Sequence, residues 1–184
     1  ANIQDNKVNF IDKTHACRAF YFERSTNTIF KKNTIKNANV GTFSGSGLLF
    51  NSAGSGMPLQ ISDCSFIGCS GSKGSTFSMS QLNYSFSILR TSFENCKNDK
   101  KLGNFFMITY QDDFLESTVS FNECKFSFFE SNSIENGALG LTIEGEKLAL
   151  TLIFEKTIFE HFYYSGDSLS AISFIGLVHL EISE

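Results

Sequence analysis

Adjacent carboxylates are the feature of this sequence closest to a catalytic pair. Asp112–Asp113 is the only Asp-Asp dipeptide in the chain. Two such groups can serve as general acid and base in the cleavage of acidic polysaccharides when a Lys or Arg lies beside them. The pair falls in a polar segment between apolar stretches, which indicates a solvated turn. No catalytic residue is therefore predicted, and the chain is not expected to be an enzyme.

The histidines and cysteines form no recognisable set of metal ligands and no recognisable catalytic nucleophile. No Cys-x-x-Cys or His-x-x-x-His pattern accompanies the three histidines, which are His15, His161 and His179. No metal site is predicted from them. Cys17 lies two residues after His15, but no third residue is present to orient an activated thiol. No cofactor is predicted either, because the Gly-x-Gly elements lie in turns without a following helix to cradle a phosphate.

A repeated frame must position any site in this chain. Its clearest copy is Leu59–Cys69, in which the apolar pair Leu59 and Ile61 precedes Phe66 and Cys69. Six copies, spaced 27 to 33 residues apart, align on the position of Phe66, and the aligned residues are Val8, Ile35, Phe66, Phe93, Phe126 and Phe159. A third short apolar stretch follows each copy after a segment of variable length. Three short strands per turn predict an all-β parallel β-helix (a solenoid) of about six coils.

Stacking of the coils would place equivalent residues about 4.8 Å apart in columns. One column, three residues before the Phe position, alternates in charge: Asp5, Lys32, Asp63, Arg90, Glu123 and Lys156. Neighbours of opposite charge are mildly stabilising, whereas like charges would repel. The alternation supports the alignment and predicts a structural ladder. It also prevents the concentration of carboxylates that calcium binding requires.

Two further columns contain most of the cysteines. The column predicted to point inward after the Phe position is Ile11, Ala38, Cys69, Cys96, Phe129 and Phe162. The column near the preceding corner is Asn6, Asn33, Cys64, Thr91, Cys124 and Thr157. Cys69 and Cys96 are predicted in adjacent coils, where either a tight disulfide or a stack of buried thiols fits. Cys64 and Cys124 are two coils apart, which is too far for a disulfide.

Composition excludes several partner classes. The net charge is −4 and the pI about 5.4, with no basic cluster larger than a pair, so a nucleic-acid partner is not expected. No apolar run approaches the roughly 18 residues that a membrane span needs. The chain has 21 Phe, no Trp and one Pro, and it is rich in Ser, Thr and Asn. We expect residues 1–184 to form a single β-helix domain, as a segment of a longer solenoid.

The motifs resemble those of a known group of repeat proteins. Cys64-Ser-Phe66-Ile-Gly-Cys69, Ser92-Phe93-Glu-Asn95-Cys96 and Cys124-Lys-Phe126 are similar to repeats of right-handed parallel β-helix proteins in the pectin lyase-like superfamily. More narrowly, they resemble the repeats of polymorphic membrane proteins, which are autotransporters, and those of large protist surface proteins. That group alternates a Phe-x-x-Asn element with a Gly-Gly-Ala element, of which Gly137-Ala138-Leu139 retains a part. The resemblance implies a right-handed helix and a surface scaffold, and it assigns no catalytic residue.

The expected function is that of a non-catalytic structural or adhesive scaffold of a larger cell-surface or secreted protein. Loops at Asn98–Gly103, Gln111–Ser117 and Ser131–Gly140 are expected to contact a surface protein or glycan. The sequon Asn83-Tyr-Ser85 agrees with a secretory route. Other parts of the same chain, or neighbouring chains, are expected to cover the open ends of the solenoid.

Three alternatives remain open from the sequence. The chain could be a polysaccharide-active enzyme, a pectin lyase-like hydrolase or lyase, although glycoside hydrolases of this fold also have a His-Gly and an Arg-x-Lys, and neither follows Asp113. It could be a structural component of a multi-chain assembly. Its regularly spaced short strands could also form a sandwich or a propeller.

Overall fold

The structure is a computed structural model, and it consists of β-strands throughout the described parts. It describes residues 2–11, 17–23, 28–41, 46–51, 59–71, 76–82, 85–98, 106–110, 116–131, 139–144, 149–164, 172–175 and 178–184. No residue in these ranges is helical.

The strands follow one another along the chain as short segments. The first seven are β1 (Asn2–Gln4), β2 (Lys7–Asn9), β3 (Phe20–Glu23), β4 (Thr28–Lys31), β5 (Thr34–Lys36), β6 (Leu48–Asn51) and β7 (Leu59–Ser62). The next seven are β8 (Ser65–Ile67), β9 (Ser70–Gly71), β10 (Phe77–Leu82), β11 (Phe86–Leu89), β12 (Ser92–Glu94), β13 (Lys97–Asn98) and β14 (Phe106–Tyr110). The last seven are β15 (Glu116–Asn122), β16 (Lys125–Ser131), β17 (Leu139–Glu144), β18 (Ala149–Glu155), β19 (Ile158–Tyr164), β20 (Ile172–Ile175) and β21 (Val178–Ser183).

Three sheets each collect one strand from successive repeats. The first sheet has the order β1-β4-β7-β11-β15-β18-β21, and the third has the order β20-β17-β14-β10-β6-β3. The second sheet places β2-β5-β8-β12-β16 side by side, with β19 and β13 also paired to β16 and β9 paired to β13. All pairings between these strands are parallel. This arrangement is consistent with a parallel β-solenoid, and it disagrees with a sandwich or propeller, whose strands pair mainly antiparallel.

A stack of phenylalanine rings forms the centre of the core. The backbone register aligns Phe66, Phe93, Phe126 and Phe159, as the sequence predicted. Successive rings are stacked with centroids 5.2, 4.9 and 5.2 Å apart and interplanar angles of 11°, 12° and 7°. The first three of these side chains are fully buried. Burial of each ring contributes roughly 1.5–3 kcal/mol, and each stacked pair adds about 0.5–1.5 kcal/mol.

The charged column lies at the corner between the first and second sheets. All six of its residues have a left-handed backbone, with φ between 44° and 57°: Asp5, Lys32, Asp63, Arg90, Glu123 and Lys156. One left-handed residue is enough to turn the chain from one sheet to the next, which explains why the sequence has no insertion there. Lys, Arg and Glu do not favour this conformation, which costs about 1–2 kcal/mol per residue. The packing of the strands on either side holds the corner in place.

A second left-handed column divides the second sheet, and the sequence analysis did not anticipate it. It consists of Asn37, Gly68, Asn95, Phe128 and His161, with φ between 52° and 64°. In two repeats the chain bends so far at this corner that it continues as a separate strand, β9 or β13. The expectation of three strands per repeat is therefore wrong for these repeats, which have four. In β16 and β19 the left-handed residue lies within a longer strand.

The column that follows the first corner forms an internal hydrogen-bond ladder. Its Asn, Cys and Thr side chains donate to backbone carbonyls of their own or the preceding repeat. Asn33 Nδ2 donates to the carbonyl of Ile3 at 2.9 Å, and Thr157 Oγ1 lies 3.1 Å from the carbonyl of Phe121. The Cys64 thiol lies 3.1 Å from the carbonyl of Ser62. These side chains satisfy buried carbonyls at a point where the chain turns.

Two further expectations need correction. Ile11, which the column assignment placed inward, is 92% exposed, and the half-buried Phe10 packs against the core instead. The predicted loops are also shorter than expected because the strands beside them are longer. Asn98 belongs to β13, β15 begins at Glu116, β16 ends at Ser131, and Leu139 begins β17. The remaining parts of these loops lie outside the described residues.

Gly47 allows the third sheet to approach the ring stack. A Cβ atom at this position would lie 2.6 Å from Cδ1 of Phe66, whose ring is fixed between its stacked neighbours. We expect Gly47→Ala to lower the free energy of unfolding by about 1–3 kcal/mol, as overpacked cores do. Urea unfolding followed by circular dichroism measures this change.

The matched control is Gly41→Ala. Gly41 also needs a positive φ of 57°, but a Cβ there would meet nothing within 4 Å, so only the backbone strain of about 1–2 kcal/mol applies. A Gly47→Ala variant as stable as the wild type would contradict the packing of Phe66 described above.

Candidate functional site

The residues that the sequence singled out for chemistry do not converge in the described structure. Asp112–Asp113 and His15 lie outside the described residues, so the pairing of His15 with Cys17 cannot be placed. His161 lies on β19 in the second sheet, and His179 lies on β21 in the first. In the described ranges, no three His, Cys, Asp or Glu side chains gather as metal ligands.

The charged corner forms one strong ion pair. Arg90 binds Asp63 in the neighbouring repeat through two contacts, Nε to Oδ1 at 2.6 Å and Nη2 to Oδ2 at 3.1 Å. Lys31 Nζ lies 4.0 Å from Oδ2 of the same carboxylate. The hydrogen bond from Arg90 and its charge lower the pKa of Asp63. Lys156 instead approaches Glu155 of its own repeat at 3.9 Å, so the alternating column is an ion-pair ladder only in part.

The cysteines are free thiols, and four of the five are buried. Desolvation raises the pKa of Cys64 and of Cys124 to about 11. Cys69 and Cys96 lie in register in adjacent repeats, and the hydrogen bond between them, together with burial, raises the pKa of Cys69. Of the two arrangements left open by the sequence, the structure contains the stack of thiols. Cys64, Cys69 and Cys124, whose pKa values are raised, are protonated at neutral pH, and all four buried thiols act as small core side chains.

Three shallow depressions are described here on the outer surface of the described strands. One of about 310 Å³ lies on the first sheet, between the side chains of Gln60, Ser87 and Ser120. A second, of about 410 Å³, lies at the amino-terminal end of the second sheet beside Lys7 and Lys36. The third, of about 430 Å³, follows the second corner and is here named the corner notch. All three volumes fall in the range of small-molecule sites.

The corner notch lies beside Gly68, which has no side chain in the second left-handed column. Its floor is Gly68, and the same corner position is Asn37 in the preceding repeat and Asn95 in the following one. Since repeats are spaced by about 4.8 Å, the backbones of the two asparagines are about 10 Å apart. The Asn37 amide occupies part of the space between them, because its Oδ1 lies 2.9 Å from the point where a Cβ of Gly68 would stand. The rest of the lining consists of Asn39, Ile67, Ser70 and Lys97. The notch is thus mainly polar, with one apolar side chain in its wall.

An aromatic pair continues the same corner beyond the notch. The rings of Phe128 and His161 are stacked with centroids 4.6 Å apart and an interplanar angle of 10°. The Phe128 side chain is 40% exposed. Its backbone φ is 57°, a conformation that is rare for a bulky residue. This outward stack accompanies the inward Phe126–Phe159 stack two positions earlier in the same strands.

The sequence analysis missed the second corner, although a signal was present. Two residues after the Phe column, three successive repeats have Asn37, Gly68 and Asn95. Asn and Gly are the residues that adopt a left-handed backbone most readily. That signal ends at Phe128 and His161, whose residue types give no indication of a left-handed corner.

Comparison of the chain with protein-family models, with curated proteins and with solved structures gives no match. The parallel strands are compatible with a β-helix, but no match supports the resemblance to pectin lyase-like repeats. No helix in the described ranges is long and apolar enough to cross a bilayer.

The Asp63–Arg90 pair predicts a specific pH dependence. Because the pKa of Asp63 is lower in the folded protein, the pair stabilises the fold above the unfolded carboxyl pKa of about 3.9. This contribution disappears as the pH falls through the lower folded pKa. Asp63→Asn removes the charge and keeps a residue that tolerates positive φ. We therefore expect only the small loss of stability that an exposed ion pair contributes at pH 7, less than the loss from Gly47→Ala. The difference from wild type should become smaller as the pH is lowered from 7 to 2, as measured by urea unfolding.

Glu123→Gln is the control for this variant, since it changes the next acidic residue of the same column without breaking the bidentate pair. An Asp63→Asn variant that differs from wild type equally at pH 7 and at pH 2 would show that charge does not account for the loss.

Thiol burial predicts selective labelling. Cys17 is half-buried, whereas the other four cysteines are buried and the pKa values of three of them are raised. Iodoacetamide at pH 8 should modify Cys17 first in the native protein, and all five cysteines after unfolding in urea. Peptide mass spectrometry locates the label. Rapid native labelling of Cys69 or Cys96 would contradict their position in the core.

Proposed function

We propose that this chain is a non-catalytic structural or adhesive scaffold. In this proposal it is a right-handed parallel β-helix of about six coils, related to pectin lyase-like repeats, within a larger cell-surface or secreted protein. The supporting observation is the continuous core, in which one ring stack joins successive repeats from Phe66 to Phe159. A core of this kind provides a long rigid surface on which contact residues can be presented.

Partners at the ends of the stack form part of the proposal. Ile182 on the last strand of the first sheet is 70% exposed, and Leu180 is 40% exposed, although their columns are buried in earlier repeats. Phe154 and Leu152, which pair with them in register, are buried. Further strands of the same chain, or a neighbouring chain, would cover these apolar side chains.

An activity assay separates the scaffold proposal from the alternative of a polysaccharide-active enzyme. We expect the purified chain to release no product from polygalacturonate between pH 5 and pH 9, with or without calcium. Hydrolysis would appear as new reducing ends, and lyase action as ultraviolet absorbance of the unsaturated product. The double variant Asp112→Asn, Asp113→Asn serves as the matched control.

Activity in the wild type that is lost in the double variant would overturn the scaffold proposal and identify the aspartates as catalytic. Activity that persists in the double variant would also overturn it, and would direct attention to other carboxylates. Labelling of intact source cells with antibodies against the chain tests the surface location separately, and a signal only after permeabilisation would contradict that part.

A further inference from the structure

Among the five cysteines, only Cys69 and Cys96 occupy the same position in adjacent repeats. Strands β8 and β12 pair just before them, and β9 and β13 pair just after them, in one uninterrupted register. The backbone N–H of Lys97 donates to the carbonyl of Cys69 at 2.9 Å. The Cα atoms of the two cysteines are therefore about 4.8 Å apart, within the range of roughly 4.4–6.8 Å that a disulfide spans.

The two thiols face each other inside the core. Cys96 Sγ lies 3.7 Å from the carbonyl oxygen of Phe66, which belongs to the repeat of Cys69, so its side chain leans toward that repeat. The thiols of Cys69 and Cys96 share a hydrogen bond, and both side chains are buried. A movement of about 1 Å would bring their Cβ atoms from the repeat spacing to the roughly 3.8 Å that is usual in disulfides.

The other column of cysteines provides an internal comparison. Cys64 and Cys124 are also buried, and each thiol leans toward a carbonyl of the preceding repeat. Thr91 occupies the same position in the repeat between them. Their backbones are therefore about 10 Å apart, which is too far for a disulfide. Burial is common to both columns, and only the column of Cys69 and Cys96 brings two thiols together.

The pair lies where short strands join the repeats. In this part of the second sheet, β8 and β12 have three residues each, and β9 and β13 have two each. The second left-handed corner separates them, at Gly68 and Asn95, directly before the two cysteines. In the later repeats, β16 and β19 are continuous strands of seven residues. A covalent bond between the cysteines would thus brace two repeats that are joined here by short backbone ladders.

We propose that Cys69 and Cys96 form a disulfide between adjacent repeats when the chain folds in the presence of a small-molecule disulfide such as oxidised glutathione. One cysteine thiolate attacks the small disulfide, and one molecule of glutathione leaves as its thiol. The second cysteine thiolate attacks the mixed disulfide and releases the other glutathione. The protein loses two protons and two electrons, and oxidised glutathione gains them as it becomes two thiols. Exchange takes place before the core closes, because both cysteines are buried in the folded chain.

This inference adds a covalent brace to the proposed scaffold role. A secreted or cell-surface chain would fold where disulfides persist, as the proposed location implies. The pairing itself depends only on the register of two repeats. Cleavage of polygalacturonate or an intracellular location would overturn parts of the proposed function, and the result in a defined redox buffer would stay the same.

The test refolds the reduced full-length chain in a glutathione redox buffer. The chain is unfolded in urea with dithiothreitol, diluted into reduced and oxidised glutathione, and then treated with iodoacetamide to block free thiols. We expect peptide mass spectrometry without reduction to show Cys69 joined to Cys96, and neither of them joined to Cys17, Cys64 or Cys124. The linked chain should unfold about 5–10 °C above the same chain in reducing agent, because the bond closes a loop of one repeat.

Cys96→Ala removes one of the two sulfur atoms. We expect this variant to leave Cys69 unlinked and to unfold at the same temperature in the oxidising and the reducing buffer. Cys124→Ala is the matched control, because it removes a thiol as buried as that of Cys96, each with a side chain 1% exposed. It should form the Cys69–Cys96 link and show the same redox-dependent shift of the unfolding midpoint as the wild type.

Three results would overturn the proposal. One is a wild-type chain that refolds in the oxidising buffer, with the circular dichroism of the reduced chain, while Cys69 and Cys96 stay free. The second is a different pairing as the main product. The third is a linked chain that unfolds no later than the reduced one, since such a bond would not brace the repeats. If Cys96→Ala fails to fold, the peptide map and the unfolding midpoint of the wild type decide the question.

Discussion

The fold depends on one geometric constraint, namely that each repeat must lie in register on the one before it. Parallel pairing fixes the position of every residue relative to its equivalents in the adjacent repeats. A one-residue slip would exchange the inner and outer faces of a strand, and the phenylalanine stack would be turned to solvent. The stack from Phe66 to Phe159 is therefore both a consequence of the register and the interaction that enforces it.

The corners show how this constraint outweighs local preference. Lys32, Arg90 and Lys156 have a left-handed backbone that a free chain would avoid, at about 1–2 kcal/mol each. Burial of one phenylalanine per repeat contributes roughly 1.5–3 kcal/mol, together with the stacking of its ring on the next. The packing of two strands on either side of each corner thus offsets the strain. The left-handed corner in turn allows the strands to be short and the turn to need no extra residue.

In a stack of repeats, each repeat position of the sequence forms one column of side chains on the surface. A residue type that recurs at one repeat position produces a stripe, such as the alternating charges, and a change at one repeat produces a local feature. Gly68 between two asparagines produces the notch, and Phe128 beside His161 produces an exposed aromatic pair. On such a fold, substitutions at single repeats can create local surface features with no change to the core.

The sequence by itself determined the repeat, the alignment and the residues of the ring stack, because inward positions must be apolar and equally spaced in every copy. It also determined the charged column, since the alternating charges from Asp5 to Lys156 are visible as soon as the repeats are aligned. Only the tertiary structure decided that Cys69 and Cys96 are thiols, that Ile11 is exposed and that a second corner passes through Phe128. These features depend on backbone angles and on neighbours in other repeats, which residue types do not specify.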